Sequence, residues 1–266
     1  MTIAEYKKKL EAYHGNVYTP ADFHEFWAEK MNQPLVSVAV ESVPFANNAA
    51  VYETVTITLK EGYIRGRVIR PVGAGPFPLV LMYHDLNRGI RGWHHMTRFI
   101  ALGYAVAALE APVHKEDWKK TFRIICFECY IRNALVLAKY AAALPWVDAG
   151  RLVTWGEGLG GGLAIAAAAM LPGNTKCCAL NPMPADLRTM FAEDCWNMDY
   201  CDIANFAPLV KGRVLMGVCL MDEFALPEGQ YAIYNRLASP KTIKVYPKYI
   251  HERVNFFENE ILGFLH

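Results

Sequence analysis

Continuous apolar runs of strand length, separated by helix-forming segments, constrain this chain more than any other feature of its sequence. "FPLVLMYH" (77–84) and "GYAVAALE" (103–110) carry no polar alternation, as expected of parallel strands covered on both faces. Between them "WHHMTRFIAL" has helical spacing, and "TFRIICFECYIRNALVLAKYAAAL" then reads as a long helix stopped by Pro145. The alternation continues through a strand at "RLVTW", a helix at "GGLAIAAAAM", and strands at "KCCALN" and "RVLMGVCL". "PEGQYAIYNRLA" is a helix, "TIKVYP" a strand and "RVNFFENEILGFL" the last helix. A β-α-β-α order with short loops demands an open, mostly parallel sheet with helices on both faces.

The first third of the chain differs. "VYETVTITLK" and "YIRGRVIRP", joined by Glu61-Gly62, alternate as a half-exposed β-hairpin. Ahead of them, "YTPADFHEFWAEKM" opens a helix with Thr19 as N-cap and Pro20 at the first helical position. With no repeat, linker or low-complexity tract, residues 1–266 read as one domain, residues 1–48 being an N-terminal helical extension.

Composition closes several functional classes. A net charge of +1 supplies no field for nucleic acid or anionic lipid. No segment approaches the ~20 apolar residues of a membrane span, and "MTIAEYKKKL" lacks the apolar core of a secretory signal. Seven scattered cysteines suit reduced thiols, so the expected location is cytoplasmic. Cys126 and Cys129 form a C-x-x-C inside the long predicted helix and read as buried helix residues. His94 and His95 are adjacent on a helix and diverge, so no metal site is expected, nor any cofactor.

The functional signal is the turn "WGEGLGGG" between strand and helix. One reading is G-x-G-x-x-G through Gly156, Gly158 and Gly161, a dinucleotide fingerprint. The next strand, "CCALN", offers no acidic residue for a ribose, and the motif does not open the domain. The other reading is a nucleophile elbow, G-x-Nu-x-G, flanked by Gly156 and Gly160 with Gly158 at the apex. An elbow requires an acid and then a histidine after later strands. Asp222 follows "RVLMGVCL" and His251 follows "TIKVYP", in that order. Together they make an acid–base pair.

These residues resemble the acetyl xylan esterase/cephalosporin C deacetylase group, carbohydrate esterase family seven, within the α/β-hydrolase fold. The resemblance spans nearly the whole chain. It is carried by "DFHEFWAE", "IRGRVIRPVGAGPFPLVLMYHD", "LVTWGEGLGGGLAIAAAAM", "NFAPLVKGRVLMGVCLMDEFALPEG" and "YNRLASPKTIKVYPKYIHE". It implies an α/β-hydrolase fold, with the family acid on Asp222 and the family histidine on His251. The family writes its elbow G-G-S-Q-G-G-G-L-A, so its serine falls on Gly158, its glutamine on Leu159 and its preceding glycine on Glu157. Its oxyanion-hole tyrosine falls on or near Leu86, leaving the amides of Leu86 and Leu159 as oxyanion candidates. Where the family carries an R-G-Q motif and a long excursion, "APVHKEDWKK" runs directly onward.

Without a side-chain oxygen at Gly158 no acyl-enzyme forms. The expectation is a family member that is not an efficient esterase and that binds a small molecule, a carbohydrate-ester-like ligand or a partner chain. The alternatives are weak hydrolysis by water activated at Asp222–His251, and dinucleotide binding. His84, Asp85 and Glu157 are secondary candidates near the site, and the family's habit allows a homo-oligomer.

Overall fold

From residue 77 onward, each apolar run becomes a strand of a single sheet. The computed structural model describes residues 2–45, 48–86, 88–90, 92–112, 126–191 and 197–266. Its strands are β1 (Ser37–Ser42), β2 (Ala50–Thr58), β3 (Tyr63–Pro71), β4 (Phe77–Tyr83), β5 (Ala105–Glu110), β6 (Val147–Glu157), β7 (Asn174–Leu180), β8 (Arg213–Cys219) and β9 (Lys241–Tyr246). The order across the sheet is β1-β2-β3-β5-β4-β6-β7-β8-β9. β1–β2, β2–β3 and β3–β5 pair antiparallel, and all later neighbours pair parallel. The hairpin is β2–β3, closed at Thr58 opposite Tyr63.

The helices are α1 (Ile3–Glu11), α2 (Phe23–Met31), α3 (His94–Ile100), α4 (Phe127–Ala142), α5 (Leu159–Met170), α6 (Leu187–Met190), α7 (Met198–Cys201), α8 (Pro227–Arg236) and α9 (Asn255–Phe264). Because side chains alternate along a strand, each buried strand feeds two cores. Leu79, Leu81 and Tyr83 of β4 join the core that holds the buried faces of α4, α5 and α8. Val80 and Met82 join the opposite core with Met96 and Phe99 of α3 and Phe257 and Ile261 of α9. No helix among the described residues is long and apolar enough to cross a membrane.

The extension departs from the helical expectation, because it includes strand β1. All six residues of β1 are exposed, Val38 and Val40 among them, and its pairing to the edge of β2 makes it a strand. The second helix starts at Phe23 with Asp22 in the cap position, so Thr19 is not its N-cap and Pro20 precedes it in a turn. Thr19 instead hydrogen-bonds the Asn205 side chain, a tertiary partner that outcompetes a local cap. The extension is anchored firmly: Trp27 is fully buried and donates its indole N–H to the Tyr200 carbonyl at 2.9 Å. Asp186, in the left-handed region at φ 57°, accepts from the Tyr13 hydroxyl at 2.5 Å and the Asn16 amide at 2.7 Å.

Of the long predicted helix, the described residues show α4 from Phe127 onward. Residues 121–125 lie outside the described residues, and Cys126 is the exposed cap of α4 rather than a buried helix residue. It is disulfide-bonded to Cys129, correcting the reading of these two as reduced core thiols. An i,i+3 pair at a helix start brings two sulfurs together without disturbing the helix. Cys177, Cys178, Cys201 and Cys219 are free and buried, and Cys195 lies outside the described residues.

β6 and α5 pass one another so closely that their glycines are steric requirements. A Cβ on Gly156 would lie 2.0 Å from the Gly160 carbonyl oxygen, and one on Gly162 would lie 2.0 Å from that of Met183. Gly156→Ala is therefore expected to destabilise the fold by about 3 kcal/mol, read as a lowered urea midpoint. Gly263→Ala, with nothing within 4 Å, is expected to leave that midpoint unchanged or raise it slightly.

Candidate functional site

The chain leaves β6 at Glu157, turns at Gly158 and enters α5 at Leu159. Gly158 has φ 58° and ψ −125°, the reversed apex of a strand–turn–helix elbow. Its N–H donates to the Leu180 carbonyl at 2.9 Å, and its own carbonyl accepts from the amides of Gly162 and Met183, both at 3.2 Å. The turn is thus held from both sides while carrying no side chain. This is also where the dinucleotide reading loses its physical basis. Gly156 and Gly161 are packed against backbone atoms of the helix and of β7, and the Leu159 amide at the helix start is already bonded.

The occupant of that helix start is Asp85. β4 ends at Tyr83, and the loop beyond it brings the Asp85 carboxylate over the elbow, almost wholly buried. Its Oδ1 accepts from the Leu86 amide at 2.7 Å and the Leu159 amide at 3.0 Å. These are the two amides the sequence marks as oxyanion donors, and one carboxylate oxygen takes both. Asp85 Oδ2 lies 2.9 Å from His251 Nε2 and 3.1 Å from Arg88 Nη2. A Cβ built on Gly158 would fall 1.8 Å from Asp85 Oδ1. The volume into which an elbow projects its apex side chain is filled by a carboxylate arriving from another loop.

Asp222 and His251 come together as the strand order requires. Asp222 Oδ2 is 2.8 Å from His251 Nδ1, and Asp222 Oδ1 accepts from the amides of Phe224 at 2.8 Å and Ala225 at 2.9 Å. The Phe224 ring stacks on the imidazole with centroids 5.3 Å apart. His251 therefore bridges two carboxylates, one on each ring nitrogen. Burial alone would lower its pKa, but the hydrogen bonds and charges of Asp222 and Asp85 lift it from 6.5 to about 10. For Asp85, burial pulls upward, yet the hydrogen bond and charge of His251, the Arg88 charge and the Leu159 amide bring it from 3.8 to about 2. At neutral pH the centre therefore sets an Asp85 anion against a His251 imidazolium, with Asp222 on the other ring nitrogen and Arg88 on the same Asp85 oxygen. In that state His251 has no free lone pair with which to accept a proton.

The remaining candidates sit around this centre. His84 has its Nδ1 2.7 Å from the Asp85 carbonyl oxygen and its Nε2 3.0 Å from the Ala111 N–H. With Nδ1 donating and Nε2 accepting, the ring satisfies both contacts and fixes the loop that delivers Asp85. Glu157 is buried and pairs with Arg253 Nη2 at 2.7 Å. Arg253 in turn lies 3.3 Å from His95 Nδ1. Arg88 and Arg253 were not legible in the sequence as site residues. The only available signal was an arginine within three residues of a candidate carboxylate or histidine, which is too common to select. Residues 113–120 of "APVHKEDWKK" lie outside the described residues.

The sign of the pH dependence follows from the two shifts. The His251 contribution to stability is complete below 6.5 and is lost as the pH rises through about 10. The Asp85 contribution is present above 3.8 and is lost as the pH falls towards about 2. The His251 ring resonances are expected to stay at imidazolium positions from pH 5 to 8.5 and to titrate near 10. Asp85→Asn, which removes one of the two charges, is expected to lower that NMR midpoint by more than about one unit.

The acetyl xylan esterase (AXE1) family matches this chain over residues 1–121, 126–195 and 192–266. Among characterised proteins, acetyl esterase Axe7A of Xylanibacter ruminicola is 23% identical over 274 aligned residues, covering 86% of this chain. The chain spans 62% of the length of that relative. Among solved structures, acetyl xylan esterase 1 of a Thermoanaerobacterium species superposes with a TM-score of 0.83 at 23% identity, covering 100% of this chain and 98% of the other. The acetyl xylan esterase of Paenibacillus sp. R4 gives a TM-score of 0.83 at 21% identity, with coverages of 100% and 99%. With its α/β-hydrolase architecture and a family match along nearly its whole length, the chain belongs to the acetyl xylan esterase (AXE1) family.

Proposed function

We propose that this protein is a member of the esterase family that has given up acyl transfer by a serine and acts by binding, either to a small carbohydrate-ester-like molecule or to a partner chain. The observation that carries the reading is Gly158 at the apex of an otherwise intact elbow. Acyl transfer needs an oxygen there to attack the carbonyl carbon, a histidine free to take its proton, and amides free to receive the oxyanion. None of the three is available: the apex has no side chain, both imidazole nitrogens face carboxylates, and both amides are bonded to Asp85. Loss of the nucleophile alone lowers turnover by about 10⁶ in serine hydrolases.

The alternative, water activated by the Asp222–His251 pair, needs His251 as a neutral base with Nε2 exposed to water. Asp85 Oδ2 holds that nitrogen instead, so the arrangement favours the binding role.

The test is hydrolysis of p-nitrophenyl acetate and acetylated xylo-oligosaccharides by the purified protein, with a fluorophosphonate probe alongside. Wild type is expected to remain unlabelled and to show no turnover above its His251→Ala variant. Stoichiometric labelling, or turnover that disappears in His251→Ala, would sink the proposal. A rate rising through pH 10 in the latter case would identify His251 as a base acting on water.

A further inference from the structure

We infer that Asp85 is a built-in ligand of the anion-binding corner at the elbow. A side chain at position 158 and the Asp85 carboxylate are alternative occupants of one volume, and the corner, once emptied, is a receptor for a small free carboxylate. The inference rests on the reading that this site does not run serine chemistry, and extends it by assigning the chemistry now housed there.

Sterics make the first half of the argument. With a hypothetical Cβ on Gly158 only 1.8 Å from Asp85 Oδ1 and 2.2 Å from Cγ, no side chain at the apex can coexist with the carboxylate where it lies. The donors make the second half. Two backbone N–H groups converge on Oδ1, from the loop after β4 and from the start of the twelve-residue helix α5. An imidazole N–H and a guanidinium converge on Oδ2. Both oxygens are satisfied by donors that point inward from three separate segments, and charge-assisted bonds of this kind are the strong ones. The side chain they hold is CH₂–COO⁻, and the free molecule of that shape is acetate. Cutting Asp85 back to glycine leaves an acetate-sized hole lined by donors that have lost their acceptor.

The same contacts argue against a nucleophilic role for Asp85. A carboxylate that attacks carbon must present one oxygen to the substrate, and here both oxygens are engaged and the residue is 1% exposed.

The experiment is thermal unfolding of wild type, Asp85→Asn and Asp85→Gly in sodium acetate up to about 100 mM, against sodium chloride at equal ionic strength. Asp85→Gly is expected to melt well below wild type in chloride and to regain several degrees in acetate. Wild type and Asp85→Asn, whose side chains fill the corner, are expected to give the same midpoint in both salts. A folded Asp85→Gly with no acetate-specific shift overturns the inference.

If Asp85→Gly does not fold in either salt, Gly158→Ala supplies the test, because its methyl group must expel the carboxylate. The His251 midpoint is then expected to fall by more than one unit, and an unchanged midpoint overturns the inference. A covalent adduct on Asp85 after incubating wild type with a small aromatic epoxide would also overturn it, by showing a carboxylate that attacks. Ester turnover by wild type would refute only the functional reading, whereas the acetate response of Asp85→Gly judges the internal ligand.

Discussion

Two backbone amides facing a closed volume at the head of a helix must find an acceptor, and the rest of this centre is arranged around that need. In this protein the Leu86 and Leu159 amides are answered by Asp85 Oδ1. An ionised carboxylate buried so deeply requires cations in turn, because a lone buried charge costs several kcal/mol. His251 and Arg88 meet that requirement at 2.9 Å and 3.1 Å. The protonated His251 then needs a partner on its second nitrogen, which Asp222 supplies. One set of orphan amides thus propagates through four side chains and three loops.

The arrangement also accounts for the glycine apex. In a working elbow the apex residue tolerates a backbone conformation that disfavours side chains, at a cost of order 1–3 kcal/mol. Glycine adopts φ 58° without that cost and vacates the space that Asp85 enters. The neighbouring Glu157 would be an unpaired buried acid were it not for Arg253, which comes from the same loop as His251. Two ion pairs, Asp85–His251 and Glu157–Arg253, tie the histidine loop to the elbow from either side.

Much of this was legible in the sequence, for identifiable reasons. Buried parallel strands have no polar alternation, so β4 to β8 follow from apolar runs and breakers, and the alternating edge strand β9 from its place between two helical segments. The acid and histidine positions follow from strand order, since both must lie at the sheet's carboxyl end beside the elbow. What escaped was decided by tertiary contact. β1 has no buried face and exists through backbone pairing alone. Thr19 is diverted from capping by Asn205. Asp85 reads as a spare acid–base residue near an oxyanion loop, and no spacing rule says that its carboxylate would reach 74 residues along the chain to the Leu159 amide.

Retention of an acid–histidine pair is commonly taken as a sign of retained catalysis, and the geometry here supplies a different cause. Once Asp85 occupies the amide pair, a cation must stand at its other oxygen, and replacing His251 by a neutral residue would leave a buried carboxylate short of a donor. Breaking such a pair from one side is strongly destabilising, on the order of 3–5 kcal/mol, even where the pair as a whole contributes little net stability. Asp222 is bound by the same logic, since without it the imidazolium would face the protein interior on its Nδ1 side. The pair is therefore held in place by folding requirements that make no reference to an ester. Its charge state, an imidazolium clamped between two carboxylates, is the opposite of the neutral base that hydrolysis demands.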